Sequence, residues 1–247
     1  MKHGNRFPGS IAVLSFAACV ALAGCERLPG RPQAGPEVVR PEEVVDFPTL
    51  YKANCAGCHG ANGGKGASIP LDNPMYLAVA GQENIKRVIA KGVPGSLMPA
   101  FAKGNGGTLT DPQIDAIVSG LLSQAKGTMM PAGQSLPPYA AVLPGNADRG
   151  QLAFTSACAR CHGAAGEGSS SPAGSRKTGS IVDPSYLALI SDQELRSTII
   201  AGRPDEAMPD WRTDGPQPLT DQQITDIVEW LASKRITDPG QPYRTRQ

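Results

Sequence analysis

The chain repeats itself, and the repeat limits what it can fold into. Asn54-Cys55-Ala56-Gly57-Cys58-His59-Gly60 returns as Ala157-Cys158-Ala159-Arg160-Cys161-His162-Gly163, 103 residues later. Further along, Asn73-Pro74-Met75-Tyr76-Leu77-Ala78 matches Asp183-Pro184-Ser185-Tyr186-Leu187-Ala188 at an offset of 110, and the same offset relates Met98-Pro99 to Met208-Pro209 and Leu109-Thr110-Asp111 to Leu219-Thr220-Asp221. The second copy therefore carries seven extra residues between Cys161 and Pro184, best placed in the Ser/Gly/Pro-rich stretch Gly168–Gly179. Two small cores in tandem, rather than one large one, also suit 247 residues with only 5% aromatics.

Each copy predicts the same order of elements. A short helix leads into the cysteine motif, at about 47–53 and 148–157; a Gly-rich loop follows, then helical segments of which 84–91 and 193–201 are the clearer. A Gly/Pro-rich loop carries the Met-Pro pair. The last helix opens at Thr110-x-x-Gln113 or Thr220-x-x-Gln223, both capping-box patterns, with Ile114, Ile117, Val118 and Leu121, or Ile224, Ile227, Val228 and Leu231, at helical spacing. No segment sustains strand alternation, so the expected class is all-α.

Outside the copies, Lys2 and Arg6 flank an apolar run from Ile11 to Leu22, too short for a permanent membrane span and patterned as a secretory signal. Its end, Leu22-Ala23-Gly24-Cys25, resembles the lipobox of bacterial lipoprotein precursors, which implies cleavage after residue 24 and a lipid on Cys25. The expected organisation is a signal over 1–24, a Pro-rich tether over 25–42, repeat domains over 43–127 and 146–247, and a Pro-rich linker over 128–145. At about 3.1 Å per residue the tether reaches roughly 50 Å, and the linker's length admits several orientations of the two domains. Without residues 1–24 the chain holds 21 Lys plus Arg against 22 Asp plus Glu, a balance that excludes electrostatic nucleic-acid binding.

After the signal, every cysteine has an assignment: Cys25 to lipid, and Cys55, Cys58, Cys158 and Cys161 to the two motifs. A zinc ribbon needs two knuckles, and each copy offers one. A thiol oxidoreductase places C-x-x-C at a helix start after a strand, whereas here it follows a helix. Haem attachment accounts for the extra histidine, because cysteines three apart reach the two vinyl groups and the adjacent imidazole faces the iron. Two covalently bound haem c groups are thus expected, with His59 and His162 as proximal ligands. His3 leaves with the signal, so no histidine remains for the opposite face; Met98 and Met208 are the methionines that correspond between copies, and each is followed by proline. A methionine that merely fills space beside the haem is the alternative.

On CAGCHG and CARCHG, MPAF and MPDW, and the helix opened by LTD, the chain resembles two-domain dihaem class I c-type cytochromes over nearly all of 43–236. The resemblance implies a helical wrap around each haem, crossing N- and C-terminal helices, and a proline carbonyl holding the proximal histidine. Pro70 could serve in the first copy; its counterpart is Ser180, which leaves only a backbone carbonyl. Tyr76, Tyr186, Phe101 and Trp211 recur at matched positions and are expected to pack on haem. Domains this small and poor in aromatics depend on the porphyrin for apolar mass.

With both axial positions filled, the expected activity is outer-sphere electron transfer: a lipid-anchored dihaem carrier on the periplasmic side of a bacterial membrane, relaying single electrons between redox proteins or within a membrane respiratory complex. The enzymatic alternative is a dihaem peroxidase with one open haem. Residues 43–126 hold seven bases and six acids, and residues 146–235 nine and twelve. Lys91 and Lys103 near Met98, and Asp205, Glu206, Asp210 and Asp214 against Arg203 and Arg212 near Met208, suggest differently charged faces, so that donor and acceptor dock on different domains or the domains dock on each other.

Overall fold

The computed structural model describes residues 35, 38–124, 135–169, 178–212 and 217–236. In the first copy these form α1 (Phe47–Asn54), α2 (Ala56–His59), α3 (Pro74–Lys91) and α4 (Asp111–Gln124). The second gives α5 (Ala147–Ala157), α6 (Ala159–His162), α7 (Pro184–Leu189), α8 (Asp192–Ala201) and α9 (Asp221–Ala232). Among the described residues, extended pairing is confined to isolated bridges, so the all-α expectation holds. The signal, Cys25 and most of the tether, the first part of the linker and most of the inserted loop lie outside the described residues.

Local chemistry sets the helix starts. Asp46 and Asn146 accept the backbone N–H three residues on, at 3.0 and 2.9 Å. Asn73 and Asp183 accept two N–H groups each, ahead of a proline in the first helical turn. Thr220 and Gln223 close a reciprocal capping box on α9. Gln113 uses its Oε1 to take the Thr110 N–H at 3.0 Å and its Nε2 to hold the carbonyls of Pro41 and Val44, tying the entering chain to α4.

In each copy the entry helix packs on the final helix, α1 on α4 and α5 on α9, while α3 and α8 lean on those same final helices. The apolar faces anticipated for α4 and α9 form the cores. The copies also pack on each other, α3 against α8. Asn73 donates to the carbonyls of Ala201 and Gly202 at 3.1 and 3.2 Å, and Ile200, Ala201, Trp211 and Ile224 join the buried cluster of the first copy. The latter part of the linker is fixed as well: buried Arg196 donates to the carbonyls of Pro138 and Tyr139, to Thr225, and to Asp221. The guanidinium satisfies linker carbonyls that extended chain would leave to water.

Candidate cofactor site

Both cysteine motifs fold into one helical turn of the same geometry. Cys55 and Cys158 end one helix and begin the next with nearly equal dihedrals (φ −117°, ψ −37° and φ −118°, ψ −30°). Their carbonyls receive the backbone N–H of His59 and His162, each at 3.0 Å. All four thiols are free. Burial, with the neighbouring cysteine's charge, pushes Cys55 and Cys158 up to about 11, the opposite of the low thiol pKa that redox catalysis needs. Among the described residues no three His, Cys, Asp or Glu side chains converge on a point where a bare metal ion would sit.

His59 is 7% exposed, and its Nδ1 lies 2.8 Å from the carbonyl oxygen of Ile69. A carbonyl only accepts, so Nδ1 carries the proton and Nε2 keeps a free lone pair, the tautomer a ligand requires. Burial holds the imidazole's pKa below its ordinary value and so keeps it neutral. The carbonyl expected from Pro70 belongs instead to the residue before it; the pyrrolidine ring restricts that residue and so aims its carbonyl. In the second copy the expected backbone acceptor is not engaged among the described residues, where Nδ1 of His162 is buried without a hydrogen-bond partner. The loop ends match, since Leu71 and Ile181 donate to the corresponding carbonyls of Gly63 and Gly166 at 2.6 and 2.9 Å. What differs is the insertion, and Gly179-Ser180 in place of Ile69-Pro70.

Met98 and Met208 lie on loops directly after α3 and α8. The Met98 carbonyl accepts from Val93 at 3.0 Å, and Met208 exchanges two backbone bonds of 2.9 Å with Arg203. Behind them stand Gly92 and Gly202, with φ of 68° and 67° and extended ψ, a conformation essentially restricted to glycine. A Cβ on either would come within 2.7 Å of the Met carbonyl oxygen. This pair was legible in the 110-residue offset but carries no chemistry of its own, so motif reading passed over it.

One cavity of about 1220 Å³ is lined by both cysteine motifs, both methionines, and Tyr76, Phe101, Tyr186 and Trp211. A single ligand usually occupies roughly 300–1,000 Å³. Free thiols at thioether spacing, an imidazole with an available Nε2 and an apolar chamber fit covalent haem in each copy. The Asp205 and Asp210 carboxylates beside Met208 pair with Arg203 and Arg212.

A helical fold that brings CxxCH and a downstream Met-Pro loop to one chamber defines a c-type cytochrome domain, and the chain builds it twice. The family model for cytochrome c oxidase, cbb3-type, subunit III matches residues 43–119 and again 145–231, and the chain belongs to this family. A curated relative, the cbb3-type cytochrome c oxidase subunit CcoP of Azospirillum sp. (strain B510), is 28% identical over 148 residues, 53% of this chain and 45% of that protein. The match thus spans less than half of the relative's length. Among solved structures, a chain of the Kuenenia stuttgartiensis reducing HAO-like protein complex is 21% identical, with 83% of this chain and all of that chain covered at a TM-score of 0.42. The chain is a two-domain class I c-type cytochrome.

Proposed function

We propose that the chain relays single electrons through two haem c groups, one joined to Cys55 and Cys58 with His59 and Met98 as axial ligands, the other to Cys158 and Cys161 with His162 and Met208. The domains are 43–127 and 146–247. The observation that carries this reading is the convergence of all eight side chains on one continuous chamber. Each bound haem would supply an iron that changes valence without making or breaking a substrate bond. The protein's part is to keep the imidazoles neutral, to hold the methionine loops by backbone bonds, and to exclude water with Tyr76, Trp211 and their counterparts.

The cysteine at the lipobox-like sequence anchors the chain to the periplasmic side of a bacterial membrane, with 25–42 as the tether. Among the described residues no helix is long and apolar enough to cross a membrane. Family membership and the resemblance to CcoP support a partner in a membrane respiratory complex, with one-electron redox proteins as donor and acceptor. Purification of the native protein from membranes tests this. Two haem c per chain by pyridine haemochromogen, a lipid on Cys25 by mass spectrometry and a co-purifying oxidase are expected; one haem per chain, or release without detergent, would refute the corresponding part.

A further inference from the structure

The two proximal histidines are held differently, and the difference sets a direction. On the first side, Nδ1 of His59 donates to Ile69 at 2.8 Å. That loop is restrained by Pro70, and the turn that carries His59 by Tyr51, whose hydroxyl donates to Gly60 at 2.9 Å. On the second side, Nδ1 of His162 is buried with no partner among the described residues. The Ser180 hydroxyl is turned to Gly166 at 3.4 Å, and the counterpart of Tyr51 is Phe154, which has no hydroxyl.

A hydrogen bond from Nδ1 makes an imidazole a stronger electron donor, which favours ferric over ferrous iron and lowers the reduction potential. Glu194 borders both sites, acting on the Ile69 loop on one side and on Tyr186 on the other, so it does not separate them. On the methionine side of the second copy, the Arg203–Asp205 and Arg212–Asp210 pairs cancel much of each other's field. The asymmetry therefore rests on the histidine side.

Building on the dihaem reading, we propose that the haem held by His59 has the lower potential and the haem held by His162 the higher, so that electrons run downhill from the first domain to the second. In that step ferrous iron of the first domain becomes ferric and ferric iron of the second becomes ferrous; no bond changes and no proton moves. The one-electron donor supplies the first domain and the one-electron acceptor drains the second. Losing one such hydrogen bond is worth about a factor of ten in the equilibrium, equivalent to about 59 mV for a one-electron couple.

The test is a potentiometric titration of the haem-loaded chain, followed optically, on the wild type and on two variants. Pro70→Gly, which frees the Ile69 carbonyl, is expected to raise the lower potential alone. The double variant Gly179→Ile, Ser180→Pro, which restores the first copy's dipeptide, is expected to lower the upper potential alone. Movement of the opposite potential in either variant, or equal wild-type potentials, overturns the proposal. Should both variants fail to fold, exchange of the imidazole Nδ1–H in the ferrous wild type decides: a slow proton on His59 and a fast one on His162 supports it, and the reverse or equal rates sink it. A preparation with two haem c per chain that titrates in the wrong order refutes this order alone, whereas a preparation without two haems refutes the reading beneath it.

Discussion

The two copies reach one architecture with different side chains. Where α1 crosses α4, the ring of Phe47 lies on Gly120; where α5 crosses α9, Gly150 lies under Trp230. These positions correspond in the repeat, so the large and small residues have changed helices. The helix pairing needs one glycine at the crossing but is indifferent to which helix supplies it. The polar support differs more. Lys86 pairs with Asp115 at 2.5 Å on an exposed surface, while Arg196, its counterpart, is buried and spends its donors on linker carbonyls, Thr225 and Asp221. The second copy is thus tied to the linker by buried hydrogen bonds, whereas the first meets it through Leu136 and Tyr139, which pack against its apolar cluster.

The sharpest way to break this comparison is Arg196→Ala. Removing one partner of a buried network costs about 3 kcal/mol here, at the low end of the usual range because Asp221 is a third exposed. A fall in Tm of roughly 10 °C is expected in thermal unfolding of the holoprotein. Lys86→Ala should leave Tm nearly unchanged. Equal effects would mean that the linker contacts contribute nothing.

Next come the crossing glycines. A Cβ at Gly150 would meet the Asp226 carbonyl oxygen at 1.9 Å, and backbone cannot swing aside; at Gly120 it would meet the Phe47 ring at 2.1 Å, and a ring can move. Gly150→Ala is expected to cost about 2–3 kcal/mol and Gly120→Ala nearer 1, measured by denaturant unfolding.

The methionine loops should behave alike. Gly92→Ala and Gly202→Ala each strain the backbone by about 1–3 kcal/mol and displace the neighbouring methionine, so each is expected to weaken the far-red methionine-to-ferric-iron band by about half. Loss in only one variant would show that the second methionine is not a ligand.

A smaller change than at the methionine loops is expected of Tyr51→Phe. It removes the bond to Gly60 and makes the first copy resemble the second, for about 1 kcal/mol of stability. An unchanged unfolding midpoint would show that water replaces the hydroxyl without loss.

Much of this was legible because the repeat serves as its own control. The helical spacing of Ile114 to Leu121 and of Ile224 to Leu231 gave the final helices, and the cysteine, histidine and methionine correspondences named the side chains that now line one chamber. The histidine's acceptor was misplaced by one residue, since a proline in sequence does not tell whether its own carbonyl or the one it restrains will be used. Domain docking was not legible either. Asn73 against Ala201, Glu194 against Ile69 and Arg196 against Pro138 and Tyr139 are contacts between distant segments, and no local pattern marks them. The charge asymmetry, with Arg203 and Arg212 counted in it, was visible, but not that these two would pair with Asp205 and Asp210.

The central claim is that both copies hold haem in the same closed ligation. The measurement that tests it most directly is the far-red absorption of the oxidised chain, quantified per haem and repeated with cyanide present. Two haem c per chain, each with the methionine band and neither reacting quickly with cyanide, is the predicted result. One haem without the band that binds cyanide readily would contradict it and make the second site an open, peroxidase-like centre.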